Sequence, residues 1–409
     1  MREMKNSGIE WVGKIPFTWN ISNIGGMYAL RNEKVSDRDY PPLSVTKQGV
    51  LPQLENVAKT DAHDDRKLVR IGDFAINSRS DRRGSCGISA YDGSVSLINT
   101  VLCPRNEMNP RYYNWLFHTA EFADEFYKQG HGIVDDLWTT RWQDMKRIQV
   151  PQPSLKEQES IASFLDSKCA EIDALMADIQ AQIETLEQYK RSVITEAVTK
   201  GLDSKVDMKD SGIEWIGTIP QTWNISNIGG MYALRNEKVS DKDYPPLSVT
   251  KQGVLPQLEN VAKTDAHDDR KLVRVGDFAI NSRSDRRGSC GISAYDGSVS
   301  LINTVLCPRN EMNPRYYNWL FHTTEFADEF YKQGHGIVDD LWTTRWQDMK
   351  RIQVPKPTLA EQEVIANFLD SKCAEIEACI ATKKEQLSTL EAYKKSLIYE
   401  YVTGKKEVM

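Results

Sequence analysis

One of the few dense cationic clusters in the sequence is NSRSDRRGSCG, residues 77–87, and it returns unchanged at residues 281–291. This segment, called here the arginine loop, carries Arg79, Asp81, Arg82 and Arg83 between predicted strands. Arginine presents a planar fork that matches guanine O6 and N7 or a phosphate, and aspartate can accept from cytosine N4 or orient an arginine. The glycines that follow the arginines permit a tight, exposed backbone. The arginine loop therefore predicts contact with nucleic acid.

Two further polar clusters accompany the arginine loop. TKQG, residues 46–49, lies at a predicted strand-to-turn junction, and KQGHGIVDDLWTTRWQDMKR covers residues 128–147. The candidate DNA-contacting residues of these two clusters are Lys47, Gln48, His131, Trp138, Thr139 and Arg141. The candidates in the second copy are Lys251, Gln252, Arg283, Asp285, Arg286, Arg287, His335, Trp342, Thr343 and Arg345. For any single residue a plain surface role is an equally good interpretation, so the prediction depends on their occurrence together.

The sequence lacks the motifs of catalysis. It contains no GxxxxGK[ST] phosphate loop, and NPRY at 109–112 departs from the NPPY motif of amino-methyltransferases without any glycine-rich cofactor loop. DAHDD at 61–65 could be imagined as a metal cluster, but no lysine-bearing strand pattern completes a nuclease site, which favours a solvated acidic turn. Cys86, Cys103, His118 and His131 have no zinc-ligand spacing. We expect no catalytic residue, no metal and no cofactor in this chain.

The composition is that of an ordinary globular protein. The chain has 409 residues, a formal net charge of −6 and 27% charged residues. This acidic balance argues against coating of nucleic acid by bulk charge, although it allows a local basic site. No apolar run approaches the roughly 20 residues of a membrane span. The seven cysteines form no CxxC pair and the N-terminus has no apolar signal core, so we expect a reduced, cytoplasmic protein.

A long internal repeat determines the expected architecture. Residues 4–150 align without a gap with residues 208–354. The seven differences are Asn6/Asp210, Val12/Ile216, Lys14/Thr218, Phe17/Gln221, Arg38/Lys242, Ile71/Val275 and Ala120/Thr324. A unit of this size is a domain rather than a solenoid repeat. Each copy predicts an α/β (α+β) domain: short strands broken by Gly and Pro, then one helix from an N-cap at Asn109 to Gly130.

A long helix is predicted after each copy. Ser154 and Glu157 form an S-x-x-E capping box, and Thr358 and Glu361 repeat it. The first apolar stripe at heptad spacing is Ile172, Met176, Ile179, Ile183, Leu186 and Val193, interrupted by Lys190. The second stripe is Ile365, Leu369, Ile376, Ile380, Leu387, Leu390 and Leu397. Two separate amphipathic helices would satisfy this pattern, but their matched length and narrow stripes favour one antiparallel coiled coil. We then expect a pseudo-two-fold dumbbell.

Several segments resemble one family over essentially the whole chain. They are SGIEWIGTIPQTW at the head of each copy (SGIEWVGKIPFTW in the first), GDFAINS, the YYNWLF helix and IQVPQPSLKEQESIASFLD. They are similar to the specificity subunits of type I restriction-modification systems. The most specific part is the pattern P-x-P-S/T-L-x-E-Q-E-x-I-A-x-F-L-D, which occurs twice. The resemblance implies target-recognition domains at 1–150 and 205–354, with conserved long helices at 151–204 and 355–409.

The resemblance also implies a function. Such a subunit reads a bipartite site on double-stranded DNA, performs no catalysis and docks two modification subunits that methylate adenine with S-adenosylmethionine. Restriction subunits can join the assembly. The chain departs from the family because its two recognition domains are nearly identical, so the expected target is an interrupted palindrome. Two alternatives stay open: a stand-alone DNA methyltransferase or nuclease, and a structural coiled-coil adaptor.

Overall fold

A computed structural model of the chain describes residues 2–54, 64–132, 138–258, 269–336 and 342–408. The chain divides into two compact units, Met1–Gln180 with Glu385–Met409, and Ala181–Lys384. Each unit therefore contains one copy of the repeat and a part of each long helix. Residues 61–63 of the acidic DAHDD segment, considered above as metal ligands, lie outside the described residues. The predicted domain boundaries remain a prediction.

The first copy is built from short strands and short helices. Its strands are β1 Met4–Asn6, β2 Lys14–Pro16, β3 Asn20–Asn23, β4 Tyr28–Arg31, β5 Lys34–Val35, β6 Leu43–Thr46, β7 Gly49–Pro52, β8 Arg66–Val69, β9 Phe74–Asn77, β10 Cys86–Ile88, β11 Gly93–Val95, β12 Asn99–Pro104 and β13 Gln149–Gln152. Its helices are α1 Ile24–Met27, α2 Pro110–Phe117, α3 Ala120–Lys128 and α4 Trp142–Met145, and the first long helix is α5 Leu155–Lys200.

The second copy repeats these elements. Its strands are β14 Met208–Asp210, β15 Thr218–Pro220, β16 Asn224–Asn227, β17 Tyr232–Arg235, β18 Lys238–Val239, β19 Leu247–Thr250, β20 Gly253–Pro256, β21 Arg270–Val273, β22 Phe278–Asn281, β23 Cys290–Ile292, β24 Gly297–Val299, β25 Asn303–Pro308 and β26 Gln353–Lys356. Its helices are α6 Ile228–Met231, α7 Pro314–Phe321, α8 Thr324–Lys332 and α9 Trp346–Met349, and the second long helix is α10 Leu359–Val402.

Antiparallel sheets form the framework of each copy. In the first copy β10, β9, β12 and β4 lie side by side in that order, and β11, β8 and β5 form a second sheet. β6 and β7 form a separate hairpin with Thr46 opposite Gly49. The apolar residues of β9 and β12 are buried because helix α2 and the other sheet cover them. The mixed helix-and-strand architecture predicted from the sequence is confirmed.

The predicted single helix from Asn109 to Gly130 is wrong, because two helices occupy this segment. Asn109 caps α2 as expected, with its side chain accepting from the backbone N–H groups of Arg111 and Tyr112. Thr119 then starts α3: its buried hydroxyl donates to Leu116 O at 2.7 Å and accepts from Phe122 N at 3.2 Å. Threonine as an N-cap satisfies an otherwise unpaired N–H and turns the chain.

Both capping boxes form as predicted. The Ser154 backbone N–H donates to Glu157 Oε2 at 3.1 Å, and the Glu157 N–H donates to Ser154 Oγ at 3.4 Å. Thr358 and Glu361 make the same reciprocal pair. Burial alone would raise the pKa of Glu157, but hydrogen bonds from Ser154, Trp19 and Arg2 outweigh it and hold the pKa below its usual range. The carboxylate therefore stays charged at the positive end of the helix dipole.

In each unit the parts of the two long helices run antiparallel. In the first unit the Phe164 and Tyr401 rings lie 4.4 Å apart, and Lys394 Nζ lies 2.6 Å from Asp173 Oδ1. In the second unit Lys190 pairs with Glu377, and Lys383 donates to Gln182. Rising numbers on one helix meet falling numbers on the other in both cases. The prediction of antiparallel pairing within the helical region is confirmed, and two unpaired helices are excluded.

Aromatic side chains fill the core where helices meet sheet. The largest fully buried side chains of the first copy are Trp19, Tyr28, Tyr112, Tyr113, Phe74, Phe117, Phe122 and Phe126. Edge-to-face contacts join many of them, such as Phe74 with Phe117 at 4.9 Å between ring centroids. None of the described helices is both long and apolar enough to traverse a bilayer.

Candidate nucleic-acid interface

The structure brings the arginine loop and the TKQG hairpin to one groove. The groove of the first unit has a volume of about 840 Å³, and Thr46, Lys47, Gln53, Arg79, Asp81 and Arg82 are among its lining residues. The second unit has an equivalent groove of about 660 Å³ with Lys251, Arg283, Asp285 and Arg286. Two clusters that are 28 positions apart in sequence, from Gly49 to Asn77, thus form one polar surface.

Two glycines explain why these segments meet. Gly49 ends the TKQG turn with a φ of +112°, a conformation that side chains disfavour. Gly87 is the last residue of the arginine loop, and a Cβ added there would lie 2.6 Å from the Gly49 Cα. The two backbones can touch because Gly87 lacks a side chain, whereas Gly49 supplies the positive φ that the turn needs. A bridge between Val50 and Ser89 continues the contact.

The backbone of the arginine loop is tightly anchored. Residues Ser80–Arg82 form one turn of 3₁₀ helix. The Ser85 N–H donates to Arg82 O at 3.0 Å, and Gly84 has a φ of +75°. From helix α3, the Tyr127 hydroxyl donates to Asn77 O at 3.1 Å. The loop therefore presents its side chains from a fixed frame.

The charged side chains of the loop divide into two groups. Asp81 Oδ1 lies 3.0 Å from Arg79 Nε, and Asp81 Oδ2 lies 3.7 Å from Arg82 Nε. Arg83 instead forms an ion pair with Asp124 of helix α3. The second unit repeats both arrangements, with Arg283 and Arg286 beside Asp285 and with Arg287 paired to Asp328. Arg79, Asp81 and Arg82 line the groove, whereas Arg83 lines a neighbouring depression.

The polar cluster of residues 128–147 also contacts the arginine loop and supports it. Thr139 pairs as a short bridge with both Arg79 and His131, and the Ser80 N–H donates to Trp138 O at 3.0 Å. The Trp138 indole N–H donates to Tyr127 O at 2.8 Å. Gly130 has a role different from the predicted helix stop, because a Cβ there would lie 2.3 Å from Trp138 Nε1. Trp138 and Thr139 thus hold the loop in place.

His131 and Arg141 are the outward-facing members of this cluster. Both residues are exposed, and His131 Nε2 lies 3.6 Å from Asp144 Oδ2. Arg141 precedes helix α4 as its N-cap residue. In the hairpin, Lys47 and Gln48 are exposed. In the second unit the corresponding Gln252 lies in a further cleft that Arg191 and Lys384 of the long helices also line.

The groove includes residues that the sequence did not single out. Arg66 is buried, donates to Ser94 Oγ at 2.9 Å and to Ser94 O at 3.0 Å, and burial lowers the pKa of its guanidinium. Gln53 and Asn77 also line the groove. Asn77 stands first in the quoted arginine segment, so its place there was a usable signal. Arg66 lies in a short strand without distinguishing spacing, and no sequence pattern indicated it.

The comparisons with known proteins agree on one class. No protein-family model matches the chain. It is 23% identical over an alignment of 435 residues to the putative type I restriction enzyme MjaX specificity subunit of Methanocaldococcus jannaschii, covering 96% of this chain and 95% of that protein. It is 29% identical to the MjaVIII specificity subunit of the same organism, covering 79% and 77%.

Solved structures show the same fold. A chain from a study of complex assembly and conformational transition of the type I restriction-modification system superposes with a TM-score of 0.72 at 14% identity, covering 96% of this chain and 99% of that one. The HsdS subunit from Thermoanaerobacter tengcongensis gives a TM-score of 0.54 at 15% identity, covering 96% and 98%. The fold is that of a specificity subunit. The resemblance seen in the sequence, to the specificity subunits of type I restriction-modification systems, is thereby confirmed.

Proposed function

We propose that this chain is the DNA-reading and scaffold subunit of a type I restriction-modification or methyltransferase complex. The two grooves are the proposed reading surfaces, and each would engage one half of a bipartite site. The observation that carries the proposal is the convergence of the TKQG hairpin and the arginine loop on one polar groove in each unit. Full-length similarity to specificity subunits supports the same role.

The size and charge of the groove suit a DNA duplex. Lys47, Arg79 and Arg82 are among the residues that line it. Arginine and lysine can contact phosphates or the edges of guanine, whereas Asp81 can exclude a phosphate from its immediate surroundings. A local basic site of this kind needs no positive net charge on the whole chain. An acidic protein can therefore bind DNA at two defined places.

The chain itself is proposed to be non-catalytic. The two curated relatives named above are specificity subunits, which agrees with the prediction that this chain is not an enzyme. Two modification subunits would dock on it, bind S-adenosylmethionine and methylate adenine, and restriction subunits can join them. All seven cysteines are free, which suits a reduced compartment such as the cytoplasm.

Genome-wide mapping of methylated adenines tests the proposed function. The chain is expressed with its modification subunits in a host that lacks adenine methylation, and long-read sequencing maps methylated adenines. We expect one bipartite motif that disappears when this chain is omitted. Purified chain that methylates DNA without partners would establish the rival enzyme. An assembled complex that binds no duplex would leave the adaptor interpretation in place.

The reading surface has its own test. The double replacement of Arg79 and Arg82 by alanine should weaken DNA binding by about 1 to 3 kcal/mol, because one bidentate contact to a base contributes that much. A phosphate contact would instead reduce affinity for all sequences and lower the salt dependence. The equivalent replacement of Arg283 and Arg286 should affect the second half-site alone. Variants that bind and support methylation normally would show that the loops are ordinary surface.

A further inference from the structure

We infer that the arginines of each loop have different tasks: Arg79 and Arg283 read a guanine, and Asp81 and Asp285 position them. Arg82 and Arg286 contact phosphate, while Arg83 and Arg287 contact no base. This division rests on the proposed function, because it presupposes that the grooves receive DNA. It predicts the identity of one base at the same position in both half-sites.

The geometry of the Arg–Asp pair carries the assignment. Arg79 Nε is buried and faces Asp81 Oδ1 at 3.0 Å. In the second unit Arg283 Nη2 donates to Asp285 Oδ2 at 3.1 Å, whereas Arg283 Nε lies 3.0 Å from Asp285 Oδ1 without the geometry of a hydrogen bond. The carboxylate therefore lies beside the edge of the guanidinium that carries Nε and Nη2. The end-on edge, with Nη1 and Nη2, is then the one suited to two parallel hydrogen bonds. Guanine O6 and N7 are the base-edge atoms that accept such a pair.

Asp81 holds the reading arginine in place. The side chain of Arg79 is 39% exposed even though its Nε is buried, so the exposed part lies elsewhere along the side chain. An arginine fixed in this way loses little conformational freedom when it binds a base. Asp81 is therefore a positioning residue, and its own place on the 3₁₀ turn is fixed by the anchored backbone.

The other two arginines have different surroundings. The side chain of Arg82 is 68% exposed, and its Nε lies 3.7 Å from Asp81, too far for a hydrogen bond. An exposed charge of this kind suits a phosphate, which can be reached from many directions. Arg83 pairs with Asp124 and lines the neighbouring depression, beside Lys128, and is not among the residues that line the groove. Its guanidinium supports the loop against helix α3.

The duplication provides an internal control for the test. The assembled complex with its modification subunits is used, and its motif is first mapped by sequencing methylated adenines. Arg79→Lys keeps the charge but removes the fork, so discrimination for guanine should fall by about 10-fold to 100-fold at one position of one half-site. Arg283→Lys should do the same in the other half-site. Arg83→Lys should leave both half-sites unchanged.

A modified base distinguishes direct recognition of guanine by Arg79 from a general loss of structure in the variant protein. 7-Deazaguanine pairs normally but lacks the N7 acceptor, and it replaces the guanine at that position. We expect this replacement to weaken binding of the parent protein, and to weaken binding of Arg79→Lys much less. Asp81→Asn should relax the same base position while affinity for unrelated DNA stays equal or rises, because a negative charge is removed. A purely structural role for Asp81 would lower both affinities together.

Three results would overturn the inference. One is an unchanged motif in Arg79→Lys, and another is equal sensitivity of the parent and Arg79→Lys to 7-deazaguanine. The third is a relaxed guanine position in Arg83→Lys. If Arg79→Lys does not fold, as judged by its melting curve, the 7-deazaguanine measurement on the parent protein still decides. A parent complex that marks no motif would instead refute the proposed function.

Discussion

The hydroxyl of Tyr112 donates a 2.7 Å hydrogen bond to the carbonyl of Val402, a residue 290 positions further along the chain. Tyr112 is fully buried, and burial raises the pKa of its hydroxyl well above the usual value. Val402 is the last residue of α10, where carbonyl groups lack a helical partner. The bond therefore joins the first copy of the repeat to the end of the second long helix.

Removing that hydroxyl should destabilise the first unit. Tyr112→Phe leaves the Val402 carbonyl buried without its partner, so the free energy of unfolding should fall by about 1 to 3 kcal/mol. Urea denaturation followed by tryptophan fluorescence measures the change. Tyr316→Phe is the matched variant, since Tyr316 donates to Val198 O at 2.7 Å in the second unit. A Tyr112→Phe protein as stable as its parent would show that water replaces the hydroxyl.

The contact between Gly49 and Gly87 should be required for reading DNA. A Cβ at Gly87 would lie 2.6 Å from the Gly49 Cα, a distance that forces the hairpin away from the arginine loop. Gly87→Ala should cost about 1 to 3 kcal/mol of stability and should reduce recognition of one half-site. Gly291→Ala should reduce recognition of the other. Motif mapping and thermal melting together check this, and intact recognition by both variants would contradict it.

Local chemistry made the secondary structure and the helical region predictable. Capping boxes at Ser154 and Thr358 and apolar stripes at heptad spacing identify long helices from sequence alone, and the repeat shows that their surroundings are equivalent. The break at Thr119 was missed because a buried threonine in an amphipathic run resembles a helix-interior residue until its tertiary contacts are known. The groove, too, could not be predicted without knowledge of tertiary contacts. Lys47 and Arg79 line one groove because the missing Cβ of Gly87 lets its strand approach Gly49, and sequence spacing does not encode that approach.

The long helices are predicted to set the length of the nonspecific spacer. Deleting one heptad from each, at residues 177–183 and 381–387, removes about 10 Å of helix while preserving the heptad phase. The spacer should shorten by about three base pairs at 3.4 Å each, or binding should be lost. A selection from randomised spacers, read out by methylation, measures the preferred length. A deletion variant that still prefers the original spacer length would show that the long helices do not set that length.

The target itself should be an interrupted palindrome. The seven differences between the copies leave the arginine loop, TKQG and residues 128–147 identical, so both copies present the same proposed base-reading groups. Specificity follows from those groups, and the two half-sites must therefore carry the same short sequence. Equivalent helix parts pair antiparallel in both units, which predicts that the half-sites lie in inverted order, as for dimeric DNA-binding proteins.

Methylation mapping distinguishes this arrangement from its alternatives. We expect one half-site, a spacer and the reverse complement, with methylated adenines at symmetric positions on the two strands. Exchanging the arginine loop of the second copy for an unrelated loop provides the control, since it should make the site asymmetric while leaving the first half-site unchanged. A direct repeat would contradict the inverted order, because the second domain would then read the same strand as the first. Two unrelated half-sites would contradict the more basic premise that identical grooves read identical bases.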